Sequence, residues 1–136
     1  MAAKIRLYTY FFFVAVLPGL TYHYVQDNKR DDAPSYSELV TYLLGIAPNA
    51  LGGVSLTAGI IAIAYDWFAV RFARKGIIGL SAAIALTGLI GWEAAQLRIP
   101  TMTFDWQDVA WTFPGVGLAA LLALFWVPHP PGHRTG

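Results

Sequence analysis

Four stretches of this 136-residue chain are apolar, nearly uncharged and long enough to cross a bilayer. A helix needs roughly 17 to 25 residues to span a hydrocarbon core of about 30 Å. The stretches cover about 7–25, 49–65, 76–97 and 108–127, which is most of the sequence. No single soluble core could hide so much apolar surface: the chain is 57% hydrophobic and only 12% charged, about half the charge of an ordinary soluble domain. In hydrocarbon the backbone must satisfy its own hydrogen bonds, so apolar spans of this length are helical. The expected fold is all-α, a single polytopic transmembrane domain of four helices.

The connections are read from composition. Asp27, Lys29, Arg30, Asp31, Asp32, Pro34 and Ser35 make residues 26–35 a hydrophilic loop, and Ser35 stands three before Glu38 in the pattern of a capping box. Residues 36–46 are expected to form a short interfacial helix that Pro48-Asn49 ends before the second span. Pro18-Gly19 predicts a kink in the first span, which membrane helices tolerate. The basic start Lys4-Ile5-Arg6 followed by an apolar run is signal-like, but bulky aromatic residues and no small-residue cleavage site follow it, so an uncleaved helix is expected. The Pro-rich tail 128–136 is expected to be disordered.

Orientation follows from the basic residues. With the N-terminus inside, Lys4, Arg6, Arg71, Arg74, Lys75 and Arg134 are cytoplasmic, six of the nine Lys and Arg, and Lys29, Arg30 and Arg98 are external. Both termini are thus expected on the cytoplasmic side of a cell inner membrane. Aromatic belts are expected from Tyr22, Tyr24, Tyr42, Trp92, Trp106 and Trp111 at the outer interface and from Tyr8, Tyr10, Tyr65, Trp67 and Trp126 at the inner one.

Whole classes of chemistry drop out. There is no cysteine, hence no disulfide, thiolate metal site or cysteine nucleophile. A net charge of +1 argues against a nucleic-acid partner, which needs clustered Lys and Arg. No serine-hydrolase elbow, zinc-protease helix or phosphate-binding loop occurs. No metal site or cofactor is expected: His23 is a weak candidate ligand for a haem or pigment, and His129 and His133 straddle Pro130-Pro131 and cannot share a helix face.

The one constellation of interest lies at the outer end. Glu93 comes about 26 Å along the third span at 1.5 Å per residue, and Gln96 shares its face. Asn49 opens the second span and Asp108 the fourth, at the same depth, with Asp105 just before. These residues could bind a cation, accept protons or hold a polar headgroup. Equally, Asp108 could cap the fourth helix while Glu93 pairs with Arg98.

The segment Gly91-Trp92-Glu93-Ala94-Ala95-Gln96, then Phe104-Asp105-Trp106-Gln107-Asp108-Val109 and Gly115, resembles the signature of VanZ-like membrane proteins: E-x-x-Q on one helix, an R-x-x-D-x-x-D loop, and N-x-x-G opening the next helix. Pro48-Asn49 is similar to the Pro-Asn that precedes a helix in that family. The resemblance spans about residues 45 to 125. The family's Arg falls on Met102 and its Asn on Thr112, so polar positions are missing in this degenerate member. The resemblance implies the fold, and for function either an accessory subunit that contacts membrane lipids and other membrane protein subunits, or an envelope-lipid or cell-wall-precursor protein of the glycopeptide-resistance type. Catalysis is left open. A transporter is disfavoured because so short a chain holds no paired inverted repeat.

The orientation has a direct check. In a chain without native cysteine, Ser35→Cys should react with an impermeant thiol reagent in intact cells and Ala73→Cys should not; the reverse pattern would overturn the topology.

Overall fold

The computed structural model describes residues 2–29, 36–99 and 104–129. They form four helices, α1 (Ala2–Asn28), α2 (Glu38–Phe68), α3 (Arg74–Gln96) and α4 (Trp106–Trp126), each long and apolar enough to cross a membrane. The fold is that of an all-α, multi-pass membrane protein. Its first helix is longer at both ends than the 7–25 expected from hydropathy, because helical hydrogen bonding continues into the polar flanks on both sides.

Proline explains the irregularity of α1. In α1 the turns from Phe11 to Val16 widen into a π-helix, with the Leu17 N–H bonded to the Phe12 carbonyl five residues back. Pro18 cannot donate and its ring crowds the preceding turn, so the backbone relaxes just before it. The disturbance expected at Pro18-Gly19 therefore lies one turn earlier. The Ala15 carbonyl in this stretch accepts a hydrogen bond from Ser55 Oγ of α2 at 2.8 Å.

Pro48, by contrast, does not break α2. The helix runs unbroken through it for 31 residues, so the separate interfacial helix expected over 36–46 is instead the first turns of α2. A proline removes one donor and leaves the rest of the ladder intact, and here neighbouring helices bury it. At about 1.5 Å per residue α2 is roughly 46 Å long, more than a hydrocarbon core needs. Ser37 precedes its first turn without a side-chain cap, and Ser35 of the expected capping box lies outside the described residues.

α2 touches all three other helices, and one of its two extensive pairings, alongside that with α1, is with α4. Two glycines make that pairing close. A Cβ on Gly115 would run into the Ala50 carbonyl oxygen, and one on Gly53 would come to 3.1 Å from the Thr112 carbonyl oxygen. Small residues at such crossings bring backbones into van der Waals contact, the main attraction between helices where lipid removes the hydrophobic drive. The core continues along this seam through Val54, Ala58, Ile61, Val116 and Ala119.

The opposite end from the 29–37 connection is tied by hydrogen bonds to α4. Arg6 donates to the Phe125 carbonyl at 2.8 Å, Arg74 to that of Val127 at 2.9 Å, and the Tyr65 hydroxyl to that of Pro128 at 2.8 Å. The last carbonyls of a helix have no intrahelical donor, and cationic donors there also meet the negative end of the dipole. Three corrections follow. Tyr65 and Tyr10, expected in the inner aromatic belt, are buried, and the Tyr10 hydroxyl reaches the Ala119 carbonyl at 3.0 Å. Pro128, expected to open a disordered tail, is buried and accepts the Tyr65 hydrogen bond. Residues 130–136 lie outside the described residues.

Gly115→Ala should destabilise the protein by about 1–3 kcal/mol through overpacking. Gly117→Ala, where nothing lies within 4 Å of the new methyl, should be neutral or stabilise the protein by up to about 1 kcal/mol, because alanine is the better helix former. Thermal unfolding in a mild detergent reads both.

Candidate functional site

The polar residues singled out in the sequence come together at the end of the bundle where α3 finishes and α4 begins. Asn49 of α2 donates from Nδ2 to Asp108 Oδ1 of α4, a link across the closest helix pair. The Thr112 hydroxyl, one turn on, bonds back to the Asp108 carbonyl at 2.9 Å. Thr112 holds the place of the family's Asn, yet it is buried and serves α4 itself. Nearby, Trp111 Nε1 donates to the Tyr42 hydroxyl at 3.3 Å, a second polar tie between α2 and α4.

Asp105, not Asp108, is the N-cap of α4. Its carboxylate accepts the Gln107 backbone N–H at 2.8 Å, while Asp108 lies in the first turn. Both carboxylates sit at the positive end of the helix dipole, where negative charge is favoured.

Glu93, one turn before the end of α3, is the buried member of the group at 7% exposure. The charged groups facing it are Asp108 and Asp105, and Gln96 of its own helix offers its carboxylate a hydrogen-bond donor. Its Oε2 atom has no hydrogen-bond partner among the described residues. The alternative pairing with Arg98 is not formed: that side chain is exposed. A buried polar atom without a partner costs about 1–3 kcal/mol, more when charged, so this one demands an explanation.

All five residues expected at the outer end, Asn49, Glu93, Gln96, Asp105 and Asp108, thus occupy one site drawn from three helices. Sequence reasoning missed Thr112, whose signal was its i+4 spacing from Asp108, and the Trp111–Tyr42 bond, for which no sequence pattern exists.

His23 stays outside. It is exposed and packs edge-on against Tyr22 with ring centroids 5.0 Å apart. His129 follows α4 at the opposite end, so the two cannot serve as a pair of axial ligands. Among the described residues no three His, Asp or Glu groups stand close enough to hold a metal ion. What the site offers is carboxylate oxygen: an acceptor surface for positive charge or for hydrogen-bond donors.

Comparison with protein-family models, with curated proteins and with solved structures finds no match to this chain. The VanZ-like resemblance rests on the residues quoted above.

Two substitutions separate the roles open to Glu93. If it is a structural acceptor, Glu93→Gln should be mild, and Glu93→Leu should cost about 1–3 kcal/mol by stranding its polar neighbours. If its charge is used, Glu93→Gln should abolish the cellular phenotype while leaving detergent thermostability near wild type. Equality of both variants with wild type in both assays would reduce Glu93 to a solvated interface residue.

Proposed function

We propose that this chain is a small VanZ-like accessory subunit of a bacterial inner membrane, with both termini cytoplasmic, that packs against a larger membrane protein complex. The observation that carries the reading is the outward face of α3. Gly79, Ala83, Thr87, Gly91 and Ala95 recur every four residues along it and all are exposed. A Cβ added at Gly76, Gly79, Gly88 or Gly91 would meet nothing.

Glycine inside a helix costs roughly 0.5–1 kcal/mol relative to alanine, and these glycines make no close approach within the chain. A second helix lying along them would supply one. The lipid-facing side of α1 is built in the opposite way, with exposed Phe11, Phe12, Phe13, Leu17 and Leu20. Bulky side chains of that kind suit contact with membrane lipids. The clustering of Lys4, Arg6, Arg71, Arg74 and Lys75 at one end of the bundle supports the cytoplasmic placement of that end.

A second reading, in envelope-lipid or cell-wall-precursor handling, is favoured by the unpartnered Glu93 oxygen in an acidic site at the other end.

Solubilised in mild detergent, the wild-type chain should co-purify with a stoichiometric membrane partner, and a photo-crosslinker at Thr87 should capture that partner while one at Leu17 should not. Replacing Gly79 and Gly91 by Leu should release the partner with little change in the thermostability of the chain itself. Retention of the same partner by the double variant would refute the α3 interface.

A further inference from the structure

We propose that Glu93, Asp105 and Asp108, with Gln96 and Asn49, form a binding site for a primary ammonium group at the membrane surface. The site goes beyond the docking reading of α3, does not depend on it, and gives the headgroup reading its ligand class.

The argument starts from the buried carboxylate. Glu93 is more than nine-tenths buried, its Oε2 atom is unpartnered among the described residues, and the charged groups facing it from α4 are themselves carboxylates. Carboxylates so placed gain from a shared positive charge between them, because a buried charge is stable only when paired and hydrogen-bonded. The nearest cation in sequence, Arg98, is turned out to solvent and does not fill that role.

The size and valence of the missing partner follow from the donor set. A bare metal ion needs several ligands converging at about 2.0–2.6 Å, and among the described residues no trio of His, Asp and Glu converges that closely. An ammonium group is larger and brings its own N–H donors, three of them in a primary amine. It can donate to the Glu93 oxygen and still be attracted by the Asp105 and Asp108 carboxylates from a greater distance. Gln96 already offers a donor to the Glu93 carboxylate, leaving one oxygen for a single-point donor, whereas a planar guanidinium is best matched by two. A quaternary ammonium has no N–H and cannot satisfy the oxygen at all.

Depth supports the same class. Glu93 lies three residues before the last residue of α3, Asp105 is the residue before α4, and the neighbouring Trp92 and Trp106 are 54% and 75% exposed. Tryptophans so placed mark the headgroup level of a bilayer. The amine of an ethanolamine lipid and a small free amine from the aqueous side share this chemistry.

The test uses the full chain in nanodiscs, with thermal unfolding as readout. In phosphatidylcholine discs, titrated ethanolamine should raise the melting temperature saturably, by about 4 °C or more, and choline chloride at equal ionic strength should not. Discs containing phosphatidylethanolamine should give the same rise without added amine. A response to the lipid alone assigns the site to a headgroup, and a response to free ethanolamine assigns it to soluble amines; either supports the proposal. Glu93→Gln should fold and lose the response. Asp108→Asn, which keeps an acceptor for Asn49, should weaken it and guards against failure of the first variant to fold. No response to either amine source, or a response undiminished in both variants, would overturn the proposal. Loss of the amine effect with the α3 partner still bound, or the converse, shows which of the two readings has failed.

Discussion

The close crossing of α2 and α4 is the contact on which the rest of the structure depends. Gly115 lets the α4 backbone lie against the Ala50 carbonyl, and Gly53 does the same one turn along the seam. In water such a contact would be one small part of a hydrophobic collapse. In lipid, where burying leucine against leucine gains little, backbone-level van der Waals packing is the principal attraction available. Once that crossing is set, Asn49 is brought to Asp108 and Ile61 and Ala119 fall into the core. The polar site is in this sense a by-product of helix packing: the register in which Gly115 meets Ala50 also brings Asn49 and Asp108 into contact.

The two ends of the bundle are organised by opposite electrostatics. At one end Arg6, Arg74 and Tyr65 donate to the carbonyls that α4 leaves open. At the other, Asp105 caps the first turn of α4 and Asp108 lies within it. Both arrangements complement the dipole of the same helix, so α4 is stabilised at each terminus by charge of the appropriate sign. Only the acidic end contains more than the dipole requires. Asp105 alone caps the helix, and the buried Glu93 reaches the same place from a different helix, which is why the acidic end reads as a site and the basic end as an anchor.

The sides of the bundle differ as much as its ends. α1 presents phenylalanine and leucine outward, whereas α3 presents a stripe of glycine, alanine and threonine beside the exposed Leu80 and Ile84. A lipid chain conforms to either surface; a neighbouring helix can come close only to the second. The asymmetry is what the proposed docking of a partner on α3 rests on.

The spans and their helical state were legible in the sequence because apolar length in a bilayer leaves one solution for the backbone. The convergence of Asn49, Glu93, Gln96, Asp105 and Asp108 was legible for a related reason: with four alternating spans, position along each span gives depth. What depth does not give is lateral arrangement. That Asp105 rather than Asp108 caps α4, that Glu93 is buried away from Arg98, and that Tyr10 and Tyr65 face inward to backbone carbonyls all depend on how the helices are rotated and which pairs touch. Pro48 shows the same limit from the other side. Local chemistry marked a helix end there, and tertiary packing carried α2 straight through, because a single lost hydrogen bond is small against the contacts that a continuous helix makes with three neighbours.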